Sequence, residues 1–354
     1  MLVAVLALVL ALGAPAASFA QSRAVRPPAT RPATPRALKV AILLGSTGLA
    51  DKPLVDAALE GLAPARKQGP TTVSVRLAAS PNDYERLIDQ LAADAVDLVI
   101  AVGGFAAEPF RAATAQHPRT RFLLLDAELT DAPNVKSVTF RPEEAGFLAG
   151  VVAAMESKRG RVGFVGGLES TGLPVECGWE TGVRWATKER FLAVRGRAMY
   201  IGTTPDALID PAAAEELSRE MIHEQGVDVL YSAAGASGHG VITAARHGKV
   251  KVIGADVDQR HLAPDVVITS VRKRVDRAVE AAIAEVRRDS FQGGVTVMNL
   301  ANGGVDLVLP GRLSAPTVKL VAKARTALVT GATAACVKEE DRVPAWNFPP
   351  RPQG

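Results

Sequence analysis

Two segments of the chain share one design, and this internal duplication constrains the fold more than any other feature. Each segment opens with a Val-Asp pair and an apolar run and continues through small, glycine-containing residues into a helical stretch. Each then closes with a second apolar run and an aspartate. The first segment spans residues 95–126 and the second spans residues 226–256. Each segment predicts strand, turn, helix and strand, and the pair therefore predicts two similar α/β lobes.

The ends of these strands indicate where a ligand is expected to bind. Ligands of parallel α/β sheets bind outside the carboxyl ends of the strands. In the two segments those ends fall at Gly103, Gly104, Asp126, Gly235 and Asp256. If the strand ends of the two lobes face each other, they enclose a cleft that closes on a small molecule.

The beginning of the chain indicates an exported protein. Residues 1–20 are uncharged and apolar and end in Ser-Phe-Ala, which is typical of a signal peptide cleaved before Gln21. Residues 21–37 form a linker that is rich in proline and arginine and contains no acid. Its four arginines equal the formal net charge of +4, so the folded part is expected to be neutral, which argues against nucleic-acid binding. We expect a soluble periplasmic or secreted protein without a lipid-attachment cysteine at the cleavage site.

Alternating strands and helices continue through the rest of the chain, including a helix expected near Gly178–Lys188 with Trp179 at its start. These elements give the expected boundaries of the lobes. The run Val266–Ser270 predicts a strand that leads back to the first lobe. We therefore expect residues 38–126 and 268–300 to form the first lobe, and residues 127–267 and 301–336 to form the second.

Two cysteines lie far apart in the sequence, at Cys177 and Cys336. Cysteines of an exported protein can pair, but two unrelated free thiols fit the sequence equally well. Residues 337–354 are polar and rich in proline, which predicts a loosely packed tail.

No catalytic or metal-binding pattern stands out in the sequence. No cluster of histidine, cysteine and aspartate has zinc spacing, and the turn Gly235–Gly238 does not match the nucleophile elbow of hydrolases. Polar and aromatic residues near strand ends are better candidates, because a carboxylate accepts hydrogen bonds and an aromatic ring stacks on a flat ligand. These candidate ligand-binding residues are Asp51, Lys52, Phe105, Glu108, Asp126, Trp179, Gly235 and Asp256.

Seven stretches spread over about residues 38–330 carry a resemblance to a known family. They are Asp51-Lys52, Asn134–Met155, Gly160–Gly167, Cys177–Val183, Val227–Ala245, Val252–Gln259 and Thr269–Val279. In this order they resemble the basic membrane protein family of periplasmic substrate-binding proteins, whose characterised members include purine-nucleoside receptors of ABC importers.

The resemblance implies a type I periplasmic-binding fold, in which two Rossmann-like lobes with parallel sheets are joined by three crossings and close like a hinge. It implies binding without catalysis and without a cofactor. The ligand is expected to be a small polar molecule such as a purine nucleoside, and the partner an ABC permease in the membrane. Carried over by position, the resemblance adds Lys273 to the candidate ligand-binding residues. We expect the protein to be a monomer.

The chain departs from the family next to Asp51-Lys52. Members usually continue with Ser-Phe-Asn, whereas this chain continues with Pro53, Leu54 and Val55. One aromatic face and one hydrogen-bonding group of a base-binding site are therefore missing, which weakens the expectation of a nucleoside. The alternatives are a ligand-sensing member with another ligand, a nucleoside-processing enzyme and a transcription regulator with the same core. The lack of a nucleophile and base disfavours the enzyme, and the export signal disfavours the regulator.

Overall fold

Two six-stranded sheets form the framework of the part of the chain that the structure describes. The computed structural model describes residues 36–45, 52–80, 82–309 and 312–337. The strands are β1 (Leu38–Leu44), β2 (Thr71–Leu77), β3 (Leu98–Val102), β4 (Arg121–Leu125), β5 (Val135–Phe140), β6 (Arg161–Leu168), β7 (Arg195–Gly202), β8 (Val229–Ala233), β9 (Lys251–Gly254), β10 (Val267–Lys273), β11 (Gly294–Met298) and β12 (Val305–Leu307).

Helices connect most successive strands and cover both sheets. They are α1 (Lys52–Lys67), α2 (Asp83–Ala93), α3 (Ala107–Gln116), α4 (Pro142–Glu156), α5 (Glu169–Arg190), α6 (Pro211–His223), α7 (Gly238–Gly248), α8 (Val275–Arg287) and α9 (Ala315–Val329). Short 3₁₀ turns at Gly104–Ala106 and Gly235–Ser237 lead into α3 and α7.

The two sheets have matching strand orders. The first is β11-β5-β4-β3-β1-β2 and the second is β12-β10-β9-β8-β6-β7. All pairs are parallel except the antiparallel pair of β10 and β12. Central strands such as β3 are buried along their whole length, which explains their continuous apolar runs, because helices cover both faces of a parallel sheet. The expected fold of two α/β lobes with parallel sheets is confirmed.

The duplicated segments occupy equivalent places in the two lobes. Strand β3, its 3₁₀ turn, α3 and β4 form the first copy, and β8, its turn, α7 and β9 form the second. The Val-Asp pairs lie at the opposite end of the sheets from the cleft. There the Asp97 carboxylate accepts a hydrogen bond of 2.9 Å from the Lys39 backbone N–H, and Asp228 accepts one of 2.7 Å from that of Lys158. These two aspartates therefore bind the backbone near the start of a neighbouring strand.

The expected lobe boundaries are wrong by one strand each. Strand β5 pairs with β4 in the first sheet, and β10 pairs with β9 in the second sheet. The first lobe therefore extends from residue 38 to about residue 141, and the chain leaves the second lobe only after Lys273. In both lobes, one further strand of the same sheet follows the duplicated segment, so the closing aspartate does not mark the boundary.

The chain crosses between the lobes three times, at Arg141, at Arg274 and at residues 299–304. The crossings are hydrogen bonded to one another. The Arg141 backbone N–H donates to Met298 O at 2.9 Å, and the Arg274 N–H donates to Gly304 O at 2.8 Å. Three adjacent single-chain connections of this kind form a hinge.

Helices α4 and α5 approach so closely that their backbones are in contact. A Cβ atom added at Gly146 would lie 2.2 Å from Val175 O, and one added at Gly178 would lie 2.0 Å from Glu143 O. Such distances are well inside van der Waals contact, so a side chain at either position would push the helices apart. The close packing places the first turns of α5 beside the cleft.

Cys177 and Cys336 form a disulfide, with their Cα atoms 5.3 Å apart. The bond joins the middle of α5 to the segment that follows α9, so it lies within the second lobe. The proposed signal peptide, all but the last two residues of the linker, and the tail from residue 338 onward lie outside the described residues. Within the described ranges, no helix combines the length and the apolar character needed to cross a bilayer.

Candidate functional site

A cavity of about 410 Å³ lies between the two lobes, at the carboxyl ends of both sets of strands. This volume is in the usual range for a small-molecule site. The strand ends identified from the sequence meet here, because both sheets point their carboxyl ends at the cleft. The lining includes Gly103, Gly104, Asp126, Gly235, Asp256 and Lys273.

The Lys273 ammonium group lies between the two aspartates that close the duplicated segments. Its Nζ is 2.7 Å from Asp126 Oδ2 and 3.8 Å from Asp256 Oδ1. Asp126 belongs to the first lobe, whereas Lys273 and Asp256 belong to the second. Both aspartates adopt left-handed backbone conformations, with φ of 58° at Asp126 and 66° at Asp256. Aspartate tolerates this region better than most residues, and the shared conformation makes the two strand ends equivalent.

The electrostatics of this cluster favour ligand groups that donate hydrogen bonds. Two carboxylates and one ammonium group give a formal charge of −1. Burial raises the pKa of Asp256, Asp126 raises it further, and the cation of Lys273 opposes both effects. A ligand whose hydroxyl or N–H groups donate hydrogen bonds to these carboxylates would offset the cost of burying them and reduce their mutual repulsion.

The rest of the cavity wall is mostly aliphatic. Pro53 and Leu54 of α1 face Val175 and Leu208 of the second lobe across the cavity. Of the aromatic side chains that the structure describes, Tyr231 alone lines this cavity. Val55 is also buried but is not part of the described lining, so the family departures that change the cavity wall are those at Pro53 and Leu54.

Two of the expected ligand-binding residues do not reach the cavity. Glu108 is exposed on α3 and forms an ion pair with Arg111 of the same helix, because the buried face of α3 is formed by Phe110 and Ala113. The Trp179 side chain is fully buried and packs against Phe164, with ring centroids 5.7 Å apart. It lies in the core of the second lobe and not at the cavity. The expectation that Trp179 stacks on a ligand is therefore wrong.

Three further expected residues cannot be placed by their side chains. Asp51 lies outside the described residues. Lys52 begins α1 and Phe105 lies in the 3₁₀ turn before α3, but only their backbones are described. Lys52 is next to Pro53 in the chain, and Phe105 is next to Gly104; Pro53 and Gly104 both line the cavity.

The first turns of α5 also contribute to the cavity, which the sequence pattern did not predict. This helix was expected near Gly178, but it begins at Glu169, directly after β6 ends at Leu168. Thr171 and Gly172 therefore line the cavity. The available signal was the glycine-rich end of β6 followed by polar residues, which is the same strand-to-helix pattern that marked the other strand ends.

A second groove, of about 670 Å³, shares Asp256 and Lys273 with the cavity. The two arginines in its wall are each paired with an aspartate. Arg274 binds Asp276 at 2.6 Å, and Arg272 binds Asp306 at 2.7 Å. We assign the ligand site to the smaller cavity, because it combines the strand ends of both lobes with an apolar wall. In the described part of the chain, no group of three potential metal ligands is placed to hold an ion.

Comparison with known proteins finds one matching family and several relatives. The family model for the PnrA-like substrate-binding proteins of ABC transporters (Bmp) matches residues 38–330. The ABC transporter nucleoside-binding protein BmpA of Lactococcus lactis subsp. cremoris is 30% identical over 317 residues, which cover 83% of this chain and 88% of that protein. Basic membrane protein A of Borreliella burgdorferi is 29% identical over 263 residues, or 72% of this chain and 74% of that protein.

Solved structures agree on the fold. A solute-binding protein of an ABC transporter system from Aeropyrum pernix K1 matches with a TM-score of 0.71 at 23% identity, covering 86% of this chain and 95% of that one. A corresponding protein from Conexibacter woesei matches with a TM-score of 0.69 at 23% identity, covering 84% of this chain and 98% of that one. At this identity the likeness is evidence for the fold alone.

Proposed function

Because the chain belongs to the PnrA-like family of ABC transporter substrate-binding proteins, we propose that its interlobe cavity captures a purine nucleoside or a similar polar solute. The family implies a small-molecule ligand and a permease in the membrane as partners. The nucleoside is the finer part of the proposal. It is supported by the name of the 30% identical relative from Lactococcus and by the chemistry of the cavity.

The observation that carries the proposal is the cluster of Lys273, Asp126 and Asp256 at one side of an otherwise apolar cavity. The two carboxylates are acceptors for the hydroxyl groups of a sugar or the N–H groups of a base. The aliphatic wall at Leu54 and Val175 covers an apolar ring face by contact. Asp51, Lys52 and Phe105 remain proposed contributors to the same site.

The same cluster supports a capture role that depends on closure of the lobes. Asp126 and Lys273 belong to different lobes, and a ligand between them would contact both at once. We propose that the protein acts as a monomer, binds without catalysis, and is exported after cleavage before Gln21. N-terminal sequencing of the native protein tests the cleavage, since an intact leader on the mature form would contradict it.

Calorimetric titration of the purified mature protein tests the binding proposal. The titrants are adenosine, guanosine and inosine, with ribose and a panel of amino acids for comparison. Asp256→Asn should weaken nucleoside binding, because it removes a charged acceptor at the cavity. Asp265→Asn is the matched control, since Asp265 is exposed and pairs with Arg246 outside the cavity.

The outcomes separate the parts of the proposal. Nucleoside binding that Asp256→Asn weakens and Asp265→Asn leaves unchanged supports the whole of it. Binding of ribose or an amino acid without any nucleoside would keep the capture role and reject the nucleoside. If both variants bind the nucleoside as tightly as the wild type does, the assignment of the ligand site to this cavity is wrong.

A further inference from the structure

Tyr231 occupies an unusual position in the wall of the cavity. It lies in the middle of β8, is only 2% exposed, and packs edge-on against Phe164 with ring centroids 5.7 Å apart. Its side chain also lines the interlobe cavity, as does Asp256. The ring is therefore part of the lobe core, while part of the side chain borders the ligand space.

The Tyr231 hydroxyl forms no hydrogen bond with any residue that the structure describes. Several other hydroxyls of the same lobe are satisfied within the protein, although the buried Ser232 Oγ and Thr187 Oγ1 have no partner among the described residues. Thr269 Oγ1 donates to Val308 O at 2.6 Å, Ser237 Oγ donates to Ala207 O at 2.8 Å, and Tyr200 Oη donates to Glu176 Oε2 at 2.6 Å. Because most polar groups in a protein interior are paired, a hydroxyl that has no protein partner and belongs to a residue of the cavity wall points to a partner that comes from the ligand.

The duplicated segment of the first lobe shows that packing alone does not require this hydroxyl. When the two copies are aligned so that Gly104 matches Gly235, Tyr231 corresponds to Ile100. Ile100 is fully buried at the same place in its own sheet. A purely apolar side chain therefore serves the structural role in one copy, and the second copy differs by adding a polar group.

The Tyr231 hydroxyl is a neutral hydrogen-bond donor. Burial raises the pKa of Tyr231, and the negative charge of Asp256 raises it further. The phenol therefore stays protonated and neutral at physiological pH. Asp126 and Asp256 accept hydrogen bonds when ionised, so the cavity places acceptors and a neutral donor within one small space.

Building on the proposed function, we propose that Tyr231 is a specificity-determining residue whose hydroxyl donates a hydrogen bond to an acceptor atom of the bound solute. The favoured solute then presents hydroxyl or N–H groups to the aspartates and a ring nitrogen, carbonyl or ether oxygen to Tyr231. A solute of the same shape that carries a carbon atom in place of that acceptor binds more weakly, since it leaves the buried hydroxyl unpaired.

Adenosine and analogues in which N1, N3, N7 or the ribose ring oxygen is replaced by carbon provide the test. The wild-type protein should bind one of these analogues about three- to tenfold more weakly than adenosine, the usual effect of one neutral hydrogen bond. Tyr231→Phe should weaken adenosine binding by a similar factor and remove the preference against that analogue. Tyr200→Phe is the matched control and should leave both affinities unchanged, because Tyr200 bonds Glu176 and does not line the cavity.

A second readout separates the hydrogen bond from a general packing effect. The chain contains three tyrosines, so labelling their Cζ atoms with ¹³C gives a spectrum that Tyr→Phe variants can assign. Adenosine should shift the Tyr231 resonance. In the ligand-free protein, Tyr231→Phe should leave the melting temperature unchanged or raise it, whereas Tyr200→Phe should lower it.

The results distinguish this inference from the function on which it rests. If adenosine binds but Tyr231→Phe binds it equally well and the Tyr231 resonance does not move, the inference is wrong and the nucleoside role stands. If the wild-type protein binds no nucleoside, the nucleoside proposal is rejected and the role of Tyr231 is rejected with it.

Discussion

Lys273 and Asp126 are 147 positions apart in the chain, yet their side chains meet across the cleft, with Lys273 Nζ 2.7 Å from Asp126 Oδ2. The same ammonium group lies 3.8 Å from Asp256 Oδ1. One cation therefore neutralises part of the charge on two carboxylates that belong to different lobes. Because these groups also line the cavity, the contact that joins the lobes is part of the site that would hold the ligand.

Replacing Lys273 should destabilise the protein in a pH-dependent way. Lys273→Met should lower the free energy of unfolding at pH 7 by about 1–3 kcal/mol. This lies between the values for exposed and fully buried pairs, because the three side chains are 19%, 29% and 23% exposed. Without the cation, the pKa of Asp256 rises further above its unfolded value. The folded variant therefore gains stability as the pH falls through that raised pKa, and the deficit should shrink as the pH is lowered from 7 towards the unfolded pKa of about 3.9.

Urea unfolding of the wild type and the variant over a series of pH values from 7 down to about 4 measures this effect. Lys323→Met serves as the control, since Lys323 pairs with Glu189 at the surface, where the side chains are 60% and 31% exposed. It should cost less than about 1 kcal/mol. A deficit for Lys273→Met that stays the same over the whole pH series would contradict the proposed coupling to Asp256.

Leu54→Phe should strengthen nucleoside binding. Leu54 lines the cavity, and an aromatic ring there would restore a stacking face. An aromatic pair contributes about 0.5–1.5 kcal/mol beyond its contact area, which corresponds to an increase in affinity of up to about tenfold at roughly 1.4 kcal/mol per decade. Calorimetry with adenosine measures the change.

Val55→Asn is the matched control for that experiment. Val55 is buried but is not part of the described cavity wall. The asparagine should therefore lower the stability by about 1–3 kcal/mol, the cost of burying an unsatisfied polar group, and should leave the affinity unimproved. A gain in affinity from Val55→Asn, with none from Leu54→Phe, would reverse our assignment of the two side chains.

Glu156 should contribute to stability at neutral pH and lose that contribution in acid. Its carboxylate accepts hydrogen bonds from Lys251 Nζ at 2.7 Å, Thr317 Oγ1 at 2.5 Å and the Ser314 backbone N–H at 3.0 Å. Burial opposes the charged form, but these partners outweigh it and hold the pKa of Glu156 below its usual value. The contribution is thus complete above the unfolded pKa of about 4.3 and disappears as the pH falls through the lower, folded value.

Glu156→Gln should therefore cost about 1–3 kcal/mol at pH 7, and this cost should decrease below about pH 4.3. Denaturant unfolding over a pH series gives the comparison. Glu189→Gln removes a carboxylate from an exposed pair and should cost less than about 1 kcal/mol throughout. The prediction fails if Glu156→Gln costs as much below the unfolded pKa as it does at neutral pH.

The disulfide should stabilise the second lobe without affecting the ligand site. The double variant Cys177→Ala/Cys336→Ala should lose about 2–5 kcal/mol of unfolding free energy, the usual cost of removing a native disulfide. Its affinity for ligands should not change, because neither cysteine lines the cavity. Titration of free thiols in the denatured, unreduced protein checks the bond directly, and the finding of two reactive thiols would exclude it.

Much of the fold could be predicted from local sequence patterns. The two copies of strand, glycine turn, helix and strand were identified from apolar runs and glycines that lie within about thirty residues of each other. The strand ends at Gly104, Asp126, Gly235 and Asp256 followed from them, and all four line the cavity. These features depend on neighbouring residues and on the general rule for parallel sheets.

The predictions failed where distant contacts override local pattern. Helix α5 contains Gly172 and Pro174, which interrupt a helical pattern, and its start was therefore expected too late. Its close backbone contact with α4 stabilises the helix in spite of these residues. Because α5 begins earlier than expected, Trp179 lies in the core and not at the start of the helix, and Thr171 lies at the cavity.

The sequence by itself determined two duplicated α/β units, and with them an aspartate at the end of a strand in each lobe. Only the tertiary structure decided that β5 and β10 complete these units, that Lys273 joins the two aspartates, and that Cys177 pairs with Cys336. Strand and helix patterns are set by residues a few positions apart. Sheet partners, disulfide partners and the side chains that face a cleft depend instead on how distant segments pack, and no local pattern encodes that packing.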